Sequence, residues 1–231
     1  FDEVRKGCIM AAGKTVLLFD VDNTLLDNDH IIADLMRHIT DLFGREPQLR
    51  YAAIIEELRA SLGYVDYLGA LQQYRREFPH QSHMLAISKY LVNYPFANRL
   101  YPASLDVLEK AAQYGSVVIL TDGDVVFQPR KLERSGIAEA VDGRTLLYIH
   151  KELELADLEH NYPADHYVIF DDKLRILNEV KKIWGTRVTT VFVRQGHYAN
   201  DSAEVAKLKP SDVAVERIAD LLDYDFSTLV G

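Results

Sequence analysis

One cysteine, Cys8, among 231 residues excludes a disulfide within the chain, suits a reducing compartment and reads as a free structural thiol. Basic residues are in deficit, since 26 Lys and Arg stand against 35 Asp and Glu and leave a formal net charge of −9. No basic face is therefore on offer to a nucleic-acid backbone or an anionic lipid surface, and an anionic substrate must meet a local cation site. No apolar run approaches the length needed to span a bilayer, and residues 1–13 lack an apolar stretch of signal-peptide length. The expectation is a cytoplasmic protein with neither membrane nor nucleic-acid partners. Internal repeats and low-complexity linkers are missing too. At 48% hydrophobic content the chain has material for one large domain, or for a core with a smaller module.

What is present begins with Thr15-Val16-Leu17-Leu18-Phe19, a continuous apolar run of the kind that forms a strand buried on both faces. It ends in Asp20-Val21-Asp22-Asn23-Thr24-Leu25, two carboxylates two residues apart. In an open parallel sheet the ligand crevice lies beyond the carboxyl ends of the strands, so Asp20 and Asp22 would stand in it. A plain turn would explain an isolated Asp-x-Asp equally well. Three further strand ends carry polar groups: Val117-Val118-Ile119-Leu120 runs into Thr121-Asp122-Gly123, Leu146-Leu147-Tyr148-Ile149-His150 into Lys151, and Tyr167-Val168-Ile169-Phe170 into Asp171-Asp172. Adjacent aspartates repel unless solvent or a cation relieves them, and a helix N-cap needs only one.

Between Asp27 and Asn98 the strand-like runs give way to helical spacing. Ile31, Leu35, Ile39 and Leu42 form one stripe, and Tyr51, Ile54, Leu58 and Leu62 a second. Tyr67, Leu71, Tyr74 and Phe78 form a third, and Met84, Ile87 and Leu91 a fourth. Residues 44–47, Gly63-Tyr64 and Phe78-Pro79-His80 read as the joints of a small bundle. From Leu100 strands alternate with helices, which predicts a doubly wound parallel sheet; residues 187–193 supply a fifth strand, and Ile218, Leu221 and Leu222 mark a closing helix.

In this order, Asp-x-Asp, Thr, Lys and Asp-Asp at four strand ends resemble the four motifs of the haloacid dehalogenase-like hydrolase superfamily. The resemblance extends to Leu100-Tyr101-Pro102 and to Gln128 and Lys131. Two positions depart from it: Asp122 stands where the family more often has Asn, Gly or Ser, and no proline follows Lys151. The fourth motif is the paired-aspartate variant. The implied fold is α/β, a Rossmannoid core with an inserted α-helical cap, divided as core 1–26, cap 27–98 and core 99–231.

The resemblance implies a Mg²⁺-dependent phosphatase acting on a small phosphorylated metabolite. Asp20 would be the nucleophile and Asp22 the acid and base, its neighbouring carboxylates favouring the protonated form. Thr121 and Lys151 would steady the phosphoryl group, with Asp122 and Gly123 beside it. The metal would rest on Asp20, Asp171, Asp172 and the Asp22 carbonyl. The Asp122 carboxylate is expected to turn away or to meet Arg130 or another cation. Tyr64, Asp66 and Tyr67 are the cap residues expected at the substrate, and residues 194–198 a possible rim.

Competing readings are a phosphomutase, which needs the same two aspartates, and a 2-haloacid dehalogenase, which needs neither Asp22 nor the metal pair. A phosphonatase would require a cap lysine, and the cap has only Lys89, late in its last helix. A silent binding module has no use for so many acids in one crevice. His80 with His83 reads as a solvated pair, and Trp184 with Ile183 as helix packing.

Overall fold

The computed structural model describes residues 15–80 and 84–230; Cys8 and His83 lie outside them. Strands β1 (Thr15–Phe19), β2 (Ser116–Asp122), β3 (Thr145–Tyr148), β4 (His166–Asp171), β5 (Val188–Val193) and β6 (Val213–Val215) form one parallel sheet in the order β3-β2-β1-β4-β5-β6. Every residue of β1 is buried because it lies at the centre with helices over both faces. Its side chains alternate accordingly. Leu17 and Phe19 enter one apolar cluster with Val107, Leu108 and Leu132, whereas Val16 and Leu18 enter the other with Leu158, Leu177 and Trp184.

Those helices follow the strands in turn. α1 (Asn28–Phe43), α2 (Arg45–Leu62), α3 (Tyr67–Glu77) and α4 (Met84–Asn93) come directly after β1 and form the helical insertion. α5 (Ser104–Ala111), α6 (Phe127–Ser135), α7 (Ile137–Ala140), α8 (Leu155–Asn161), α9 (Leu174–Trp184), α10 (Gly196–Asn200) and α11 (Ser202–Val205) belong to the strand-bearing part. This is a doubly wound α/β sheet with a helical insertion. Among the described residues no helix is long and apolar enough to cross a membrane.

The insertion packs through the stripes its sequence carries. Ile31, Leu35, Ile39, Tyr51, Ile54, Tyr67, Tyr74, Ile87 and Leu91 are buried in the same cluster as Leu17 and Phe19. The second stripe stops short: Leu62 is exposed in the last turn of α2. The first joint is also narrower than its sequence suggests. Gly44 alone makes it, at φ 87°, and Pro47 falls in the first turn of α2, where no intrahelical amide donor is lost.

The two chain crossings into the insertion run side by side. Asp27 N–H donates to the Arg99 carbonyl (2.7 Å), and Tyr101 N–H and the Ser104 hydroxyl both donate to the Leu25 carbonyl (2.9 and 2.8 Å). Two elements differ from the sequence reading. β6 is a three-residue edge strand, too short to announce itself as a periodic run, and the closing segment Ile218–Leu222 is a 3₁₀ turn with Ile218 and Leu221 buried and Leu222 exposed. Trp184 stacks on Tyr167 with ring centroids 4.3 Å apart, whereas Ile183 faces solvent.

Candidate active site

Parallel register brings the chemistry together. Phe19 lies between Ile119 of β2 and Phe170 of β4, so the residues that follow each strand emerge at one edge. Asp20 N–H donates to the Phe170 carbonyl at 3.0 Å, which fixes the first carboxylate beside Asp171. Lys151, in a short 3₁₀ turn (Lys151–Leu153) after β3, is buried and places Nζ 2.5 Å from Asp20 Oδ1 and 2.7 Å from Asp171 Oδ2. The Thr24 hydroxyl donates to the other oxygen of Asp20 at 3.2 Å. Burial works against the Lys151 ammonium, but Asp171, Asp20 and Asp122 together outweigh it and hold it protonated well above the usual lysine range.

Asp20, Asp171 and Asp172 are all buried, and one ligand oxygen from each lies within 4.8 Å of the others. Asp171 Oδ1 accepts from Lys173 N–H at 2.8 Å. Neither oxygen of Asp172 has a hydrogen-bond partner among the described residues. Burial pushes Asp172 well above the carboxylate range, and the charge of Lys173 offsets this only in part. A buried carboxylate without partners is costly, and a hard divalent cation among these oxygens removes the cost. The donor set therefore fits Mg²⁺.

At the end of β2, the buried Thr121 hydroxyl accepts from Gln128 Nε2 at 2.8 Å. Gly123 packs against the same glutamine, since a Cβ there would lie 2.9 Å from Gln128 Cβ. Asp122, half-buried, does not meet Arg130. Its Oδ1 accepts from the Lys151 backbone N–H at 2.8 Å, while Arg130 turns to the Val92 carbonyl. Burial raises Asp122 to about 6 against the pull of Lys151.

Asp22 is held differently from what its acidic neighbours suggest. A cation contacts it: Lys131 Nζ sits 2.7 and 2.8 Å from its two oxygens and 2.8 Å from Asn28 Oδ1. The loop that carries Asp22 is pinned at Asn23, whose left-handed backbone (φ 64°) lets Oδ1 accept from Asn28 and Asp29 N–H. Asp29 in turn accepts from His197 N–H (2.8 Å) and sits 2.6 Å from His197 Nδ1. Gly196, at φ 70°, allows that approach, because a Cβ there would fall 2.4 Å from Asn23 Cβ.

A cleft of about 560 Å³ lies between the helical insertion and these strand ends. Asp22, Asp122, Gly123, Gln128 and Lys131 line its core wall, and Arg59, Tyr64 and Tyr67 its insertion wall. Asp20, Thr121, Lys151, Asp171 and Asp172 are not on the wall; they are set deeper. Tyr67 is buried, its hydroxyl close to Asn28 but without a hydrogen bond of ordinary geometry. Asp66 does not reach the cleft: its Oδ1 accepts from Gly69 N–H at 2.6 Å and caps α3.

Arg59, Lys173, His150 and the His197-Tyr198 pair also line the cleft and carry no motif of their own in the sequence. Lys173 follows the paired aspartates, and His197 and Tyr198 fall in the segment 194–198 expected at the rim; Arg59 and His150 arrive through tertiary packing. Lys89, on the last helix of the insertion, is exposed and away from the cleft.

Comparison with known proteins agrees with this geometry. Residues 14–158 match the haloacid dehalogenase-like hydrolase family. A haloacid dehalogenase-like hydrolase from Burkholderia xenovorans LB400 is 56% identical, with a TM-score of 0.87 over 92% of this chain and 99% of that one. The hydrolase YfnB from Bacillus subtilis, crystallised with magnesium, gives 15% identity and a TM-score of 0.58 over 90% of this chain and 97% of its own. The L-2-haloacid dehalogenase of Xanthobacter autotrophicus gives 16% and 0.59 over 89% and 96%. At such identities the likeness carries the fold alone. Among curated proteins there is no match.

Proposed function

Because the chain belongs to the haloacid dehalogenase-like hydrolases, we propose that it is a Mg²⁺-dependent phosphatase that hydrolyses a small phosphorylated metabolite through an aspartyl-phosphate on Asp20. The carrying observation is the pairing of a deep Asp20, held by Lys151, with a second carboxylate, Asp22, on the cleft wall. Displacing a halide needs no second acid. Expelling an alkoxide does.

Asp20, Asp171 and Asp172, with the Asp22 carbonyl, would hold the ion, which when bound neutralises phosphoryl oxygens and lowers the repulsion between two anions. The chain's own groups do the rest. Lys151, 2.5 Å from Asp20 Oδ1, draws the phosphoryl group toward that carboxylate. The Thr121 hydroxyl, oriented by Gln128, donates to a phosphoryl oxygen, and the backbone at Asp122 and Gly123 lies beside it.

An Asp20 oxygen attacks phosphorus while the ester P–O bond breaks, and its electron pair stays on the leaving oxygen. Asp22 protonates that oxygen. In the second half Asp22 takes a proton from water, the water oxygen attacks phosphorus, and the bond to Asp20 breaks to release phosphate.

The test is turnover of p-nitrophenyl phosphate with Mg²⁺, with EDTA, and by Asp20→Asn. Metal-dependent hydrolysis that the folded Asp20→Asn variant lacks supports the covalent reading. Near wild-type turnover by that variant would remove it.

A further inference from the structure

The net charge of the chain opposes anions, so cations on the cleft wall carry information about what the cleft receives. Most of them are engaged. Among the described residues Lys131 is bound to Asp22 at 2.7 Å, Arg175 to Glu152 at 2.7 Å and Lys207 to Glu204 at 2.5 Å, while Lys173 feels the carboxylate of Asp172. Arg59 differs. Its only ion pair among the described residues is a 3.4 Å contact between Nη1 and Glu56, a side chain 63% exposed, and such pairs in water are weak.

Its Nε is buried and has no acceptor among the described residues. A desolvated guanidinium donor without a partner is unfavourable, and the fork of Nε and Nη atoms matches the two oxygens of a carboxylate or phosphate. The nearest neighbour in chemistry is Tyr67, whose buried hydroxyl also lacks a well-formed hydrogen bond and lies within the field of Arg59. The buried Arg59 Nε and the Tyr67 hydroxyl, which has only a poorly formed contact with Asn28, thus share the insertion wall of one cleft, across from the core residues proposed to hold the phosphoryl group.

We propose that the cleft takes phosphate monoesters whose alcohol part carries a second oxyanion, a carboxylate or another phosphate, bound by Arg59 with the Tyr67 hydroxyl. The proposal rests on the phosphatase reading for the first phosphate only. Arg59 acts on specificity: it holds the far end of the substrate and leaves the bond-breaking groups to the core. Its position in the last turn of α2, just before the Gly63 joint that packs on His150, ties that far end to the core wall.

The experiment compares matched esters in wild type, Arg59→Gln and Arg59→Lys. Ethyl phosphate is set against phosphoglycolate, in which a carboxylate replaces the methyl group, and propyl phosphate against propane-1,3-diol bisphosphate. Wild type should favour at least one anionic member by about tenfold or more in kcat/KM, Arg59→Gln should bring that ratio near unity, and Arg59→Lys should fall between. Which pair shows the larger ratio separates carboxylate from phosphate.

Binding gives a readout independent of turnover: calorimetry with Mg²⁺ should find phosphonoacetate tighter than ethylphosphonate in wild type and not in Arg59→Gln. Absence of both preferences in wild type overturns the proposal even where a variant fails to fold, and so do preferences that survive Arg59→Gln. If no ester is hydrolysed while the Arg59-dependent binding difference persists, the phosphatase reading falls and the oxyanion site stands. If esters are hydrolysed without dependence on Arg59, the reverse holds.

Discussion

Lys131 and Asp22, 109 positions apart, meet with the lysine Nζ within 2.8 Å of both carboxylate oxygens. The lysine is buried and the aspartate is a quarter exposed, so the pair fixes the acid at the cleft wall from behind. Lys131→Met should lower stability by about 1–3 kcal/mol, less than a fully buried pair costs because Asp22 keeps some water. It should also lower kcat for an aryl phosphate by about tenfold or more, since Asp22, the proposed proton-transfer group, loses its orientation. Thermal melts beside steady-state kinetics check both. Full kcat in a destabilised variant would make Lys131 a purely structural residue.

Asp122 offers a pH test. Burial raises its folded value to about 6, above the 3.8 of an open chain, so the folded state pays a penalty for its charge above pH 6. That penalty shrinks as the pH falls from 6 toward 3.8 and is gone below. Asp122→Asn keeps an oxygen for the Lys151 N–H and removes the charge. It should be more stable than wild type by about 2 kcal/mol at pH 8, and the two should converge near pH 4 in urea titrations. With one anion fewer beside the phosphate, its KM should also drop.

Asp172, without a hydrogen-bond partner, should respond to metal in the absence of any substrate. Mg²⁺ is expected to raise the Tm of wild type, and Asp172→Asn to weaken that rise and shift its titration to higher metal. The shift should be smaller at low pH, because protonation of the raised Asp172 competes with the ion. An identical Mg²⁺ titration in variant and wild type would take Asp172 off the ligand set.

Asp66 and Tyr64 are two positions apart and should behave as different kinds of residue. Asp66→Ala removes the cap of α3 and should cost about 1 kcal/mol while scaling all substrates alike. Tyr64→Ala, on the cleft wall, should reorder kcat/KM among phosphate esters. Ratios across a small ester panel decide, because loss of folded protein cancels in them.

The sequence by itself determined five of the six strands and the polar edge they share. Five apolar runs of strand length alternate with helical stripes, and polar residues stop four of those runs at Asp20, Thr121, Lys151 and Asp171. Local periodicity is enough for that, because a buried strand and an amphipathic helix each leave a repeating signature. It also marked the four-helix insertion after β1, although not that Pro47 lies within α2 or that Ile218–Leu222 winds as a 3₁₀ turn.

Tertiary structure alone decided the partners. The acidic neighbours of Asp22 in sequence suggest repulsion, yet a lysine from α6 contacts it. Asp122 answers to a backbone amide 29 positions away, not to Arg130. Asp66 is drawn off to cap its own helix, while Arg59, without a motif, reaches the cleft wall. Such pairings join residues far apart in the chain, and only packing, which sets distance and excludes water, fixes which charges meet.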